Sequence, residues 1–269
     1  MPLGPIPFGR PNCNFHDADF HFTLVSIMAS APQNVEHRAV WVEIKRWGVQ
    51  IYTAREWREG KCTDGYVETS KFGRIKATRL TKVDELMLVR LDNVFSAERC
   101  ADLIKAAEEK TGNPLWQQSA VSGTSSEDFR TSTTAMRASI SQEHPLSKDL
   151  EALMAEMTGI SNLSCAGLTR YKHRQKFDLH PDARFPDLMR RYTFLLYLNT
   201  LAADEGGGTW FPSAASSSIT VQPVTGSILW WRNFTTDTSS TTDPRSKHAG
   251  LPVLSATAQK YVINCWVVD

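Results

Sequence analysis

Apolar residues recur at helical spacing in two segments of the chain. In the first segment they are Cys100, Leu103, Ile104 and Ala107. In the second they are Leu150, Leu153, Met154 and Met157. Ser96-Ala97-Glu98-Arg99 precedes the first stripe, and we interpret it as a capping box with Ser96 as the N-cap. The pattern predicts one helix from Ser96 to near Gly112 and another from about Ser147.

After Gly159 the pattern changes to short apolar runs of the kind found in β-strands. Clusters of Pro, Gly, Asp and Ser separate the runs, which are Leu163–Tyr171, Tyr192–Asn199, Gly208–Phe211, Ser218–Gln222, Ser227–Arg232 and Tyr261–Val268. Many short strands with such spacing predict a closed barrel or a double-sheet jelly roll.

Three further segments are predicted from composition. Residues 1–35 are rich in Pro, Asn and His, and we expect an irregular arm there. Residues 39–52 alternate between apolar and polar residues, which predicts a hairpin that turns near Gly48. The polar segments 119–134 and 233–246 are predicted loops. We expect the second loop to be a mobile lid on the substrate side.

The composition describes an ordinary globular protein and excludes several classes. Of the 269 residues, 41% are hydrophobic and 22% are charged, and the net charge of +1 gives no electrostatic reason to bind nucleic acid. The apolar run 22–31 is far shorter than the ~20 residues that a membrane span requires, and no basic leader precedes it. We therefore expect a cytoplasmic protein with no nucleic-acid or membrane partner.

The cysteines favour a reducing compartment. There are five, an odd number, and they are scattered without a Cys-x-x-Cys pair. This distribution argues against a disulfide framework and against a zinc ribbon.

His180 and Asp182 form the first candidate site. Side chains at positions i and i+2 of a strand point to the same face, so the imidazole and the carboxylate can converge on one point. A second imidazole, that of His248, could complete a cap of two histidines and one carboxylate, the arrangement of non-haem Fe(II) oxygenases. A His-x-Asp pattern occurs by chance in a chain of this length, so other residues of the chain are needed to support a metal site.

Residues elsewhere in the C-terminal half support a site near these histidines. Lys260 opens the apolar strand KYVINCWVVD, where a lysine requires either solvent or an anionic partner. Tyr171 and Tyr197 lie in apolar runs, where a buried phenol requires a hydrogen bond. Gly206-Gly207-Gly208 precede a strand, where the backbone must turn sharply or let a ligand approach closely.

The C-terminal half resembles the prolyl 4-hydroxylase branch of the Fe(II)/2-oxoglutarate-dependent dioxygenases. The resemblance is good from about Leu163 to Asp269 and fainter from about Lys82, where Arg130-Thr131-Ser132 also matches. The matching segments follow the order of the family: Arg170-Tyr171, His180-x-Asp182, RRYTFLLYLN at 190–199, GGGTWFP at 206–212, PVTGSILWW at 223–231, DPRSKHAGLPV at 243–253 and KYVINCW at 260–266.

The resemblance implies a fold and a domain division. The fold is mainly β with flanking helices (α+β), a double-stranded β-helix (jelly-roll) core with N-terminal helices packed on one sheet. Residues 81–269 form the dioxygenase domain. Residues 1–80 are an N-terminal extension of unknown role, with a small β hairpin packed on the core.

The resemblance also implies the roles of individual residues. Fe(II) is held by His180, Asp182 and His248. The co-substrate 2-oxoglutarate pairs with Lys260, with help from Tyr171, Tyr197 and Thr209. Arg190 and Trp231 face the substrate. O2 is consumed, and ascorbate serves as reductant. Because a carboxylate stands at position 182, a halogenase, whose site has a small residue there, is disfavoured.

The resemblance predicts a hydroxylase that acts on C4 of prolyl residues in peptides or proteins and releases succinate and CO2. The sequence alone leaves two alternatives open. One is the same chemistry on a free amino acid or a small natural product, and the other is a non-catalytic jelly-roll binding module.

Overall fold

The computed structural model describes residues 50–109, 116–119, 128–135, 144–185 and 188–269, and all of them lie in one compact unit. Its helices are α1 (Ala54–Arg58), α2 (Ala97–Glu108) and α3 (Pro145–Thr158). Its strands are β1 (Ile51–Tyr52), β2 (Asp64–Thr69), β3 (Gly73–Arg79), β4 (Leu88–Asp92), β5 (Trp116–Gln118), β6 (Thr133–Ala135), β7 (Leu163–Tyr171), β8 (Phe177–His180), β9 (Arg184–Phe185), β10 (Leu188–Tyr197), β11 (Thr209–Phe211), β12 (Ile219–Val221), β13 (Ile228–Arg232), β14 (His248–Gly250) and β15 (Lys260–Val268).

The strands form two sheets, as the double-stranded β-helix requires. The large sheet has the order β1-β2-β3-β4-β13-β10-β15-β7-β6-β5, and β9 pairs with β10. The small sheet has the order β12-β11-β14-β8. The predicted fold class, mainly β with flanking helices, is confirmed.

Strand β10 shows how one strand serves two cores. Phe194 and Leu196 lie in the core that also contains Leu103 of α2 and Leu150 of α3. Leu195 and Tyr197 lie in the second core, with residues of both sheets. Because alternate side chains point to opposite faces, a strand that is covered on both sides is apolar at successive positions.

Both predicted helices are present, and one capping detail is wrong. The Ser96 side chain accepts a hydrogen bond from the Arg99 backbone N–H at 3.3 Å, which confirms the N-cap. The reciprocal half of the capping box is absent because the third helical residue is Arg99 and not Glu or Gln. Helix α2 ends at Glu108, and the predicted stop, Gly112, lies outside the described residues. In α3 the apolar stripe Leu150, Leu153, Met154 and Met157 is buried as expected.

The N-terminal part of the described chain joins the large sheet. The hairpin of β2 and β3 pairs through β3 with β4, with Arg79 in register with Val89. The division into residues 1–80 and 81–269 stays a prediction, and its boundary falls between two paired strands. Nearly all of the hairpin predicted over 39–52 lies outside the described residues.

A disulfide corrects the expectation drawn from the cysteines. Cys165 of β7 and Cys265 of β15 are register partners on neighbouring antiparallel strands, and they are joined by a disulfide. The two residues are 100 positions apart in sequence. Pairing therefore depends on the order of strands in the sheet, which a scan for local Cys motifs does not detect.

The polar segment 233–246 is tied to β10, contrary to the mobile lid that its composition predicts. The Tyr192 hydroxyl donates to Asp237 Oδ1 at 2.5 Å, and the Arg191 guanidinium donates to the Ser239 carbonyl at 2.7 Å. Phe234 and Asp243 are buried. Hydrogen bonds from the strand thus fix a segment whose own sequence has little apolar content.

Candidate metal centre

The three predicted metal-ligand residues come together between the two sheets. His180 ends β8, His248 begins β14, and the two histidines are register partners in the small sheet. His180 Nε2 lies 3.8 Å from Asp182 Oδ1, and His248 Nε2 lies 3.7 Å from Asp182 Oδ2. The potential ligand atoms of all three residues lie within 4.8 Å of one another.

The backbone selects which nitrogen of each imidazole faces the carboxylate. His180 Nδ1 lies 2.6 Å from the Asp178 carbonyl, and His248 Nδ1 lies 3.0 Å from the Ser246 carbonyl. A carbonyl oxygen can only accept, so each Nδ1 carries the proton, and the lone pair of a neutral imidazole is on Nε2. Both Nε2 atoms are therefore in the form that binds a metal.

Aromatic rings hold the two imidazoles in place. The Phe177 ring stacks on His180, with 3.5 Å between the ring centres and 17° between the planes. The guanidinium of Arg130 covers the Phe177 ring at 4.5 Å. On the other side, the Trp231 ring meets His248 edge to face at 4.8 Å. This packing limits the rotation of both rings and keeps bulk water away from the centre.

The charges at the centre fit a divalent cation. Burial, followed by the charge of His248, lowers the pKa of His180 to about 3, so this imidazole is neutral at pH 7. Burial raises the pKa of Asp182. The nearby His248 and His180 lower it by more in total, so the pKa of Asp182 is below its usual value. Two imidazoles and one carboxylate, brought together at a buried point, are the donor set of a non-haem Fe(II) site.

A buried lysine lies against two tyrosine rings of the core that also contains Trp231, the neighbour of His248. Lys260 is 2% exposed, and its Nζ lies 5.3 Å from the centre of the Tyr171 ring and 5.6 Å from that of Tyr197. Burial lowers the pKa of its ammonium to about 7. Within the described residues no acidic side chain forms an ion pair with it. An uncompensated buried cation is costly, so the pocket suits an anion from outside the protein.

Two hydroxyl groups belong to the same pocket. Tyr197 donates to Thr209 Oγ1 at 2.7 Å, and both residues are buried. Burial raises the pKa of the Tyr197 phenol, which therefore stays neutral and can donate.

The glycine run has a steric explanation. Gly207 has a positive φ of 70°, and a Cβ there would lie 2.7 Å from Leu201 Cδ1 and 3.5 Å from Lys260 Cδ. The positive φ fits the sharp turn that was one of the two expectations for the run, and the atoms that approach Gly207 closely belong to the protein.

The two residues predicted to face the substrate occupy different surroundings. The Arg190 guanidinium lies over the Trp266 ring at 3.7 Å, and burial lowers its pKa. Trp231 is fully buried against His248. Their contact with a substrate stays a prediction.

Three residues at the site were not predicted from the sequence, namely Phe177, Thr193 and Asn233. Thr193 could have been found because it shares a face of β10 with Tyr197, four residues later. Phe177 and Asn233 belong to the site through their neighbours in the two sheets, for which the local sequence has no signal.

Residues 166–268 match the family model of the 2OG-Fe(II) oxygenase superfamily, and the match contains all three candidate ligands and Lys260. The chain carries a 2OG-Fe(II) oxygenase domain. It is accordingly an Fe(II)/2-oxoglutarate-dependent dioxygenase, and the family uses Fe(II), 2-oxoglutarate and O2. No curated protein matches the chain in sequence.

Two solved structures share the fold over 68% of this chain, and a third structure matches with a lower score. A Pseudomonas putida prolyl-4-hydroxylase is 16% identical, with 68% of this chain and 92% of that chain covered and a TM-score of 0.52. A Trichoplax adhaerens prolyl hydroxylase in complex with a peptide fragment of the oxygen degradation domain of hypoxia inducible factor is 17% identical, with 68% and 83% covered and a TM-score of 0.52. A viral collagen prolyl hydroxylase from Paramecium Bursaria Chlorella virus-1 is 23% identical, with 67% and 95% covered and a TM-score of 0.48.

None of the helices in the described ranges of the oxygenase is both long and apolar enough to cross a membrane.

Proposed function

We propose that this dioxygenase hydroxylates C4 of prolyl residues in peptides or proteins. The observation that carries the co-substrate half of the proposal is Lys260, a buried ammonium in the same core as Trp231, with no acidic partner in the described chain. A dicarboxylate reaching from the centre to Lys260 would supply the missing charge, and a charge-assisted hydrogen bond is about twice as strong as a neutral one.

The proposal assigns a role to each residue of the site. His180, Asp182 and His248 would hold Fe(II), and the 2-oxo acid end of 2-oxoglutarate would bind at the metal. Lys260 pairs with the distal 5-carboxylate, Tyr197 and Thr209 supply hydroxyl groups to the same end, and Tyr171 lines the pocket. Arg190 and Trp231 are assigned to the substrate side.

The bound iron, kept in the Fe(II) form by ascorbate, would supply the oxidation in which one oxygen atom of O2 converts 2-oxoglutarate to succinate and CO2 and the other enters a C–H bond of the substrate. The protein's own residues hold and orient the groups. The carbonyls of Asp178 and Ser246 keep both histidines in the metal-binding tautomer. Phe177 and Trp231 exclude water, and Lys260 supplies a positive charge when it is protonated.

The prolyl substrate is supported by the shared fold. Two structures with the same fold are prolyl hydroxylases, and one of them is in complex with a peptide. Because these structures are only 17% and 16% identical to this chain, the shared fold supports a class of substrate and not a particular substrate.

The test incubates the full chain with Fe(II), ascorbate and 2-oxoglutarate, with and without proline-rich peptides, and measures succinate and the mass of the peptide. We expect succinate and a peptide mass gain of one oxygen atom, both abolished in His180→Ala. His173→Ala is the matched control, because His173 is an exposed histidine that contacts the Ser255 carbonyl.

Each other outcome points to one of the alternatives. Succinate that depends on His180 and Asp182, without modified peptide, would replace the prolyl substrate by a free amino acid or small natural product. If the chain binds no iron and His180→Ala changes nothing, the non-catalytic binding module is correct.

A further inference from the structure

A row of buried hydrogen bonds leads from the carboxylate of Asp182 into the protein. Thr193 Oγ1 lies 2.9 Å from Asp182 Oδ2, Asn233 Nδ2 lies 2.9 Å from Thr193 Oγ1, and Trp231 Nε1 lies 3.0 Å from Asn233 Oδ1. Asp182 is 6% exposed and the other three are fully buried, so water does not compete for these bonds.

The direction of every bond in the row follows from the tryptophan. An indole Nε1–H can only donate, so the Asn233 atom that faces it is the carbonyl oxygen. The amide nitrogen of Asn233 then faces Thr193 Oγ1 and also the Arg190 carbonyl, at 3.0 Å. Because the Thr193 oxygen accepts from this amide, its single proton is directed to Asp182 Oδ2.

The row is anchored at its far end. The Asn233 backbone N–H donates to the Arg191 carbonyl at 3.0 Å, and the Asp243 N–H donates to the Asn233 carbonyl at 2.9 Å. Asn233 thus closes the base of the 233–243 loop and has little freedom to turn. Trp231 touches a second candidate ligand as well, because its ring packs on His248 at 4.8 Å.

We propose that Thr193 and Asn233 are positioning residues that hold the Asp182 carboxylate in its metal-binding orientation. This proposal rests on one part of the proposed function, namely that the three-residue centre binds a divalent metal, and it does not depend on the substrate. A carboxylate can rotate about its last side-chain torsion, and a hydrogen bond to one oxygen fixes the plane of the group. Thr193 supplies that bond, and Asn233 ensures that the hydroxyl donates in the required direction.

The test measures the affinity of the metal-free full chain for Co(II) by calorimetry, without 2-oxoglutarate. Thr193→Val replaces the hydroxyl by a methyl group of similar size, and we expect the affinity to fall roughly 10- to 100-fold, as for other partners of metal ligands. Thr193→Ser keeps the hydroxyl and should stay near the wild-type affinity. Asn233→Leu removes the donor to Thr193 and should weaken binding in the same direction.

A matched control separates positioning from packing. Thr158 is also buried and donates its hydroxyl to the Met154 carbonyl in α3, away from the centre. Thr158→Val makes the same chemical change and should leave Co(II) affinity unaltered. The visible absorption of bound Co(II), which reports the arrangement of its ligands, should change in Thr193→Val and not in Thr158→Val.

The proposal is overturned if folded Thr193→Val binds Co(II) with wild-type affinity and spectrum. It is equally overturned if Thr193→Ser is as weak as Thr193→Val, because the hydroxyl would then not be the cause. If Thr193→Val does not fold, Asn233→Leu decides in the same way. Wild-type protein that binds Co(II) but makes no succinate with Fe(II) would refute the proposed function and leave this inference standing.

Discussion

Lys260 and Tyr171 are register partners on the neighbouring antiparallel strands β15 and β7, and the lysine ammonium lies 5.3 Å from the centre of the tyrosine ring. The π face is the electronegative part of the ring, so it offers the cation some stabilisation. It does not replace an anion, because the pKa of Lys260 is still lowered to about 7 by burial. If Lys260 pairs with the co-substrate as proposed, its lowered pKa makes co-substrate binding depend on pH.

We expect 2-oxoglutarate binding to take up a proton above pH 7. In the empty pocket at pH 8 to 9 Lys260 is largely neutral, and pairing with a carboxylate requires its charged form. Calorimetry in buffers with different protonation enthalpies should show uptake approaching one proton, and the apparent Kd should rise up to about tenfold per pH unit. Lys260→Arg, which is always charged, should show neither effect. Binding without proton uptake at pH 8.5 would contradict the assignment.

The stability of the ligand-free protein should also depend on Lys260. Its folded-state pKa, about 7, is below the ordinary value of 10.5, so the unfolded chain binds more protons between these pH values. The free energy of unfolding should therefore rise with pH from about 7 to about 10.5, and the full destabilisation should be present below pH 7. Urea unfolding at several pH values should show that this slope is smaller in Lys260→Met. Equal slopes in the two proteins would mean that Lys260 titrates normally.

Removal of His180 should abolish metal binding without unfolding the chain. His180→Ala deletes one of the three proposed ligands, and we expect the Co(II) affinity to fall by more than roughly 100-fold, beyond the usual loss for an outer partner. Calorimetry gives the affinity, and far-ultraviolet circular dichroism checks the fold. His173→Ala should bind Co(II) like the wild type. Comparable losses in both variants would place the metal elsewhere.

Tyr197→Phe should impair use of the co-substrate alone. The variant loses the hydroxyl that donates to Thr209. At about 1 kcal/mol for one hydrogen bond, the KM for 2-oxoglutarate should rise about fivefold, with kcat and Co(II) affinity unaltered. Tyr192→Phe is the control, because Tyr192 lies on the opposite face of β10 and donates to Asp237. Tyr192→Phe should have a lower melting temperature and an unchanged KM for 2-oxoglutarate. A similar rise in KM in Tyr192→Phe would contradict a specific role of Tyr197 at the co-substrate.

The Cys165–Cys265 disulfide should stabilise the fold without affecting the site. It closes a loop of 100 residues, for which chain entropy gives up to about 4.7 kcal/mol. Both cysteines belong to the core on the helix side of the sheet, whereas Lys260 is on the other face of β15. The double variant Cys165→Ala/Cys265→Ala should melt at a lower temperature and bind Co(II) normally. An unchanged melting temperature, with or without reductant, would show that the bond does not form in solution.

The long strands could be predicted because they are continuous apolar runs bounded by turn-forming residues. The run Leu163–Tyr171 coincides with β7, and Tyr192–Asn199 covers most of β10. The small-sheet strands β8 and β14, which carry both histidines, were not among the predicted apolar runs, although the predicted site requires an extended backbone at His180. They have four and three residues, too few for a period of two to be recognised, and their pairing with each other stabilises them.

By itself, the sequence determined the residue types of the site and the short spacing between two of them. His180 and Asp182 are two positions apart and come together, although β8 ends at His180 and strand alternation does not place Asp182, and the order of motifs from Arg170 to Trp266 indicates the superfamily. The tertiary structure decided what depends on strand order. It brought His248 beside His180, joined Cys165 to Cys265, and aligned Thr193 and Asn233 behind Asp182. These pairs are separated by 11 to 100 positions, and contacts between distant positions come from the register of paired strands, which no local pattern in the chain encodes.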